Sequence, residues 1–167
     1  MDFKTNEGVI ELFKSINSIG NENCFFVTFK DSSKEGAKAG ALGAVGGLLG
    51  AASSFANGIV EGIEGYDGLL INQTERGLAI IPLRNQGVLL TLKFDKMEPQ
   101  LDKATFIPNE NIKEIIVKNF NIFNKKMQKV KIILENEKNL HLLARITEPT
   151  IPYQESNFAK FMNKYKK

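Results

Sequence analysis

KVKIILENEKNLHLLARI, residues 129–146, is the stretch that decides the fold. Side chains two apart share one face of a β-strand, so a strand with one buried face shows an apolar residue at every second position. Both halves of the stretch show this alternation: Val130, Ile132 and Leu134, then Leu140, Leu142, Ala144 and Ile146. The polar NEKN between the halves is typical of a turn. The stretch therefore predicts an antiparallel hairpin with one continuous apolar face.

The segments next to this hairpin predict one strand and one helix. Before it, FIPNENIKEIIVKNF, residues 106–120, predicts a turn at 109–111 and a strand from Ile112. After it, four apolar residues fall at helical spacing, which predicts a C-terminal amphipathic helix over 156–166 with Ser156 or Asn157 as its N-cap. These four residues are Phe158, Phe161, Met162 and Tyr165.

Further elements are predicted nearer the N-terminus. GLLINQTERGLAIIPL, residues 68–83, predicts a hairpin that turns at Gly77, with a second strand that ends at Pro82 or lies at a sheet edge. GVLLTLKF, residues 87–94, predicts another strand, and so does CFFVTFK within 22–30. Residues 1–20 predict a helix that starts with Asn6 as N-cap and stops at Gly20.

The glycine-rich segment, residues 34–62, interrupts this series of strands and carries no charge from Ala39 to Val60. Its glycines recur at intervals of four and three, which would place them on one face of a helix and make that face a packing or oligomer surface. They are Gly36, Gly40, Gly43, Gly47 and Gly50. Two interpretations stay open: a helix or helical hairpin packed on its own domain or a sister chain, and a glycine zipper that inserts reversibly into membrane or oligomerises there. A flexible loop is less consistent with the regular spacing.

The order of these segments resembles the bacterial pleckstrin-homology-like and GRAM-like domains over roughly residues 66–167. GLLINQTERGLAIIPL, FIPNENIKEIIVKNF and KVKIILENEKNLHLLA carry the resemblance. It implies an α+β fold in which a bent antiparallel β-barrel is plugged at one open end by a C-terminal helix. The N-terminal helix and the glycine-rich insert would be added to that barrel within a single domain, residues 1–167.

Five lysines surround apolar residues in KNFNIFNKKMQKVK, residues 118–131, and are candidate contacts for an anionic surface. They are Lys118, Lys125, Lys126, Lys129 and Lys131. The first interpretation is a solvated hairpin loop whose phenylalanines cap the barrel. The second is a loop that dips apolar residues into a bilayer while its lysines meet anionic lipid, since each such lysine contributes about 1 kcal/mol near the surface. Contact with nucleic acid is not expected, although the last 67 residues hold 13 basic and 7 acidic side chains.

The residues needed for catalysis or for holding a metal or cofactor are scarce. The chain has one cysteine and one histidine, and the glycine-rich segment matches no phosphate-binding motif. His141 is expected on the solvent side of its strand, and Cys24 is expected to be buried and inert. The sequence therefore predicts no catalytic residue, no metal and no cofactor. With 43% hydrophobic and 25% charged residues, the chain is expected to be globular.

Two functions follow from these patterns. The first is a non-enzymatic protein-interaction or assembly module in the cytoplasm, with a protein partner or self-association through the glycine-rich helix and with membrane association as an open alternative. The second is a peripheral lipid-binding domain that uses the lysine-rich loop and the glycine-rich helix.

Overall fold

The computed structural model describes residues 2–31, 66–86 and 93–166. Within these residues the chain forms an α+β fold with two α-helices, eight β-strands and three short 3-10 turns. The helices are α1 (Asn6–Ser15) and α2 (Gln154–Tyr165). The strands are β1 (Cys24–Lys30), β2 (Gly68–Gln73), β3 (Gly77–Asn85), β4 (Met97–Pro99), β5 (Thr105–Pro108), β6 (Ile112–Asn119), β7 (Met127–Leu134) and β8 (Asn139–Arg145).

The eight described strands form one antiparallel sheet. Their order is β4-β3-β2-β1-β8-β7-β6, and β5 pairs with β3 on the same edge as β4. No pairing between described strands joins β6 to β4 or β5, so this sheet is open. The predicted α+β class and antiparallel pairing are confirmed, and the predicted closure into a barrel is not seen in this part of the chain.

The predicted hairpins are present. In the β7–β8 pair, Val130 lies opposite Leu142 and Ile132 lies opposite Leu140, as the alternation indicates. The β2–β3 turn depends on Gly77, which has φ of +154°, and a Cβ at this position would lie 2.1 Å from the carbonyl oxygen of Ile107. Any larger residue there would be strained. The turn at 109–111 before β6 is also confirmed.

The interpretation of Pro82 was wrong. β3 continues past Pro82 to Asn85 and lies inside the sheet, between β2 and the pair formed by β4 and β5. β5 pairs with β3 only up to Ile80 and β4 pairs only from Leu83, so Pro82 falls in the interval between them. A proline is tolerated there because no neighbouring strand needs its missing N–H.

Four predicted element boundaries were also wrong. The N-cap of α1 is Thr5, whose Oγ1 accepts the N–H of Gly8 at 3.0 Å, and the helix ends at Ser15 because Asn17 turns the chain with φ of +53°. α2 starts two residues before Ser156. Phe94 begins a 3-10 turn, while residues 87–92 of the strand predicted there lie outside the described residues.

The sheet is buried on both faces along β1, β2 and β3. Alternation in β1 sends Phe26 to one face and Phe25 and Val27 to the other. The first face continues through β6, β7 and β8 and packs against Phe158 and Phe161 of α2. The second face packs against α1 through Val9, Leu12 and Phe13. Among the described residues, β6 and β7 contribute nothing to the cluster on the second face, and β8 contributes only the partly buried Leu143.

The side chain of Gln154 completes the bonding of β1. β1 pairs with β8 only at Phe29 and Lys30, so the main chain of Val27 has no strand partner on that side. The Gln154 amide takes the partner's place: its Oε1 accepts the N–H of Val27 at 2.8 Å, and its Nε2 donates to the Val27 carbonyl at 3.1 Å. The same Nε2 donates to the carbonyl of Arg145 at 2.8 Å. The first turn of α2 is thereby fixed in the gap between β1 and β8.

The last turn of α2 is fixed to strands on both sides. Gln73 at the end of β2 donates a hydrogen bond from its Nε2 to the hydroxyl of Tyr165. Lys166 forms a parallel bridge with Val117 of β6 and donates from Nζ to Oδ1 of Asn119 at 2.9 Å. α2 therefore connects β2 with β6, which lie far apart in the strand order.

Replacing Gln154 by leucine should destabilise the fold by about 2–4 kcal/mol, because the buried polar groups of Val27 would lose their partners. Urea unfolding followed by circular dichroism measures this loss. Asn163→Ala on the exposed side of α2 is the matched control and should change the free energy of unfolding by no more than about 0.5 kcal/mol. A Gln154→Leu protein as stable as the control would contradict the role given to the amide.

Candidate functional site

Two adjacent apolar side chains project into solvent from the loop between β6 and β7. Ile122 is 84% exposed and Phe123 is 96% exposed, and they are the only large hydrophobic residues exposed in the described part of the chain. We call residues 120–126 the tip loop. An exposed apolar pair with charged neighbours is typical of a surface that binds another molecule or a membrane.

Two asparagines shape the tip loop. Oδ1 of Asn121 accepts the N–H groups of Phe123 at 3.0 Å and Asn124 at 2.6 Å. Oδ1 of Asn124 accepts those of Lys126 at 3.2 Å and Met127 at 3.3 Å. Asparagine favours such turns because its short side chain reaches main-chain groups two or three residues ahead.

The base of the tip loop is tied to its surroundings. Gln128, which is fully buried, donates from Nε2 to the carbonyl of Lys125 at 2.8 Å and to Oδ1 of Asn119 at 3.1 Å. The N–H of Ile146, just after β8, donates to the carbonyl of Lys126 at 2.9 Å. The loop thus has a defined conformation at both its base and its apex.

Four of the five candidate lysines are exposed around this loop. Lys125 and Lys126 lie in the loop itself. Lys118 and Lys129 lie directly opposite each other on β6 and β7, on the face turned away from the core. The ion pairs seen between described residues lie elsewhere in the fold. Like charges on opposed strand positions repel, so this end of the hairpin attracts anions.

Two lysines of the predicted cluster, Lys131 and Lys129, contact other side chains or are partly covered by them. Lys131 is half-buried, two positions further along β7, and pairs with His141 of β8. The Nζ of Lys129 lies 5.0 Å from the centre of the Phe120 ring, which makes a cation–π contact. Phe120 is therefore partly covered by the lysine.

The interpretation in which the loop phenylalanines cap a barrel was wrong for Phe123. Its ring has almost no contact with the rest of the described chain. Sequence alone could not distinguish the two outcomes, because apolar residues beside lysines fit a covered loop and an exposed one equally well. The one available signal was the density of asparagine in NFNIFN, which favours a tight turn with its side chains directed outwards.

Cys24 and His141 do not form a dyad. Cys24 packs against the core on the face covered by α2, and its Sγ donates to the carbonyl of Asn157 at 3.0 Å. His141 alternates with the core residues Leu140 and Leu142, so it lies on the opposite face of the sheet. No group of three or more His, Cys, Asp or Glu side chains that could hold a metal ion occurs among the described residues.

The predicted glycine face, Gly36, Gly40, Gly43, Gly47 and Gly50, lies outside the described residues. Within residues 2–31, 66–86 and 93–166, no helix is both long enough and apolar enough to cross a membrane.

No protein-family model matches the chain. Searches of curated proteins and of solved structures likewise give no match. The resemblance to pleckstrin-homology-like domains is therefore neither supported nor opposed by a relative.

Cys24 should react slowly with thiol reagents in the folded protein. Burial raises the pKa of its thiol from near 9 to about 11, although Lys160 and Lys164 act in the opposite direction. Only the thiolate reacts, so labelling by Ellman's reagent at pH 8 should be about 100-fold slower than in concentrated urea. Equal rates in the folded and unfolded protein would contradict this environment.

Proposed function

We propose that the chain is a non-enzymatic interaction module that docks on an anionic membrane surface through its tip loop. The observation that carries the proposal is the exposure of Ile122 and Phe123, at 84% and 96%, among four exposed lysines. Apolar side chains at the apex match the boundary of the acyl chains, and cations around them match anionic headgroups.

The expected binding free energies favour reversible membrane binding that needs both the apolar side chains and the lysines. Moving the Ile122 and Phe123 side chains out of water contributes about 1.5–3 kcal/mol each. The four lysines contribute about 1 kcal/mol each near an anionic leaflet. Neither contribution alone is large after the loss of translational and rotational freedom, so binding should depend on both apolar contact and charge.

We further propose that the scaffold is of the pleckstrin-homology-like kind. The support is that one face of β1, β2, β3, β5, β6, β7 and β8 contributes to a single core with the C-terminal helix. α2 also makes contacts at both ends, near β1 and β8 at its start and near β2 and β6 at its end. A helix held in this way resembles the plug of such a barrel.

Vesicle flotation tests the docking. The wild-type protein should float with vesicles of phosphatidylglycerol and phosphatidylcholine at low salt. It should not float with vesicles of phosphatidylcholine alone. Replacing both Ile122 and Phe123 by serine should abolish flotation. Replacing Lys125 and Lys126 by alanine should weaken binding by about 2 kcal/mol, roughly 30-fold.

Lys96→Ala with Lys103→Ala is the matched control, because both lysines are exposed and lie in 3-10 turns distant in sequence from the tip loop. This variant has the same net charge as the Lys125/Lys126 variant and should bind like the wild type. If the wild-type protein does not float with anionic vesicles at low salt, or if both lysine variants lose the same affinity, the proposal is wrong.

Self-association through the glycine-rich segment is a separate proposal and rests on the spacing of its glycines alone. Light scattering of the wild type and of a Gly43→Leu, Gly47→Leu variant tests it. An oligomer that becomes a monomer in the variant is expected, since leucine would prevent close approach of two helices. A wild-type monomer would remove self-association from the functions of this chain.

A further inference from the structure

Four of the seven main-chain N–H groups of the tip loop have acceptors, and three of these four acceptors are carboxamide oxygens of the loop's own asparagines. Those of Phe123 and Asn124 bond to the Asn121 carboxamide, and those of Lys126 and Met127 bond to the Asn124 carboxamide. The N–H of Phe120 donates to the Met127 carbonyl at 2.9 Å. The acceptors for Phe123 and Asn124 at the apex are therefore supplied by a side chain of the same loop.

This arrangement matters only where water is scarce. A solvent-exposed loop can lose a side-chain acceptor at little cost, because water replaces it. A main-chain N–H that moves toward the acyl chains has no such replacement, and leaving it unbonded there is unfavourable. The asparagine carboxamides belong to the loop, so they would accompany the four N–H groups that they bond wherever the loop moves.

We infer that Asn121 and Asn124 are positioning residues for membrane insertion: they keep four main-chain N–H groups of the loop and its end bonded while Ile122 and Phe123 enter the bilayer interface. The inference rests on the proposed docking function and adds to it a role for two uncharged side chains. Neither asparagine needs to touch lipid, since each acts through the main chain of the residues that follow it.

The signature of this role is a loss of binding without a loss of stability. In water the Asn121→Ala protein should unfold at the same urea concentration as the wild type, because its freed N–H groups are hydrated. On the membrane the same groups lose their acceptor. Two hydrogen bonds of ordinary net strength correspond to about tenfold or more in affinity.

A tryptophan reporter makes the test direct, because the chain contains no tryptophan. Phe123→Trp keeps an aromatic ring at the apex, and its emission shifts to the blue when the ring enters an apolar environment. Asn121→Ala in this background should bind vesicles of phosphatidylglycerol and phosphatidylcholine about tenfold more weakly, and at saturation its emission should shift less. The dependence of affinity on salt should be unchanged, since no charge is altered. Asn121→Ser should recover part of the affinity, because a serine hydroxyl can accept the same bonds less well.

Asn136→Ala is the matched control. Asn136 shapes the β7–β8 turn in the same way, with its Oδ1 accepting the N–H of Lys138 at 3.2 Å, but that turn carries no exposed apolar pair. Its loss should leave vesicle binding unchanged.

The outcomes separate this inference from the proposed function. Absence of vesicle binding by the Phe123→Trp protein and by the wild type overturns the docking function and the inference with it. Normal docking combined with equal affinity of the Asn121→Ala protein overturns the inference alone. A changed salt dependence, or a fall in stability that matches the fall in binding, also overturns it, because the asparagine would then act on the lysines or on the fold.

Discussion

The fold depends on how β1 satisfies its main chain on the side where β8 diverges from it. β1 pairs along nearly its whole length with β2 but with β8 at two positions only. The Gln154 amide supplies the hydrogen bonds that a strand would otherwise supply at Val27. A buried N–H or carbonyl without a partner is costly, so β1 and the first turn of α2 are held together. The position of α2 then fixes Lys166 against Asn119, at the base of the tip loop.

The local patterns of the sequence predicted the sheet well and its long-range contacts poorly. Alternation identified β7 and β8, and Gly77 identified the β2–β3 turn, because both signals arise from neighbouring residues. The role of Gln154 depends on a strand 127 residues away in the chain, so no local pattern predicts it. Pro82 was misread for a similar reason: the interval between β4 and β5 that accommodates it forms only when both strands pair with β3. The lysine cluster was predicted as a set, whereas exposure of the apolar residues between its members was only the second of two interpretations.

The tip loop and the strand ends next to it differ from the rest of the described chain in the exposure of apolar side chains and in the placement of like charges. Elsewhere in the described residues large apolar side chains are at least partly covered, and here two adjacent ones are not. Lys118 also faces Lys129 across the strand pair, an arrangement that disfavours the isolated molecule. Neither feature is needed to form the hairpin, whose inward residues Val117 and Val130 already join it to the core. Departures that the fold does not require are expected at sites of function.

Strand β8 also sets the distance between Asp31, which bonds to one part of the strand, and the tip loop, which bonds just beyond its end. Asp31 ends the first described range, and its N–H donates to the carbonyl of His141. The next described range resumes beside it, where the carbonyl of Asp67 accepts the N–H of Lys30. The tip loop is attached five residues further along, where Ile146 bonds to Lys126. At about 3.3 Å per residue these two attachment points are about 16 Å apart. β8 therefore separates the two attachment points, and a molecule anchored by its tip loop would hold Asp31, three residues before the glycine-rich segment, at about that distance from its anchor.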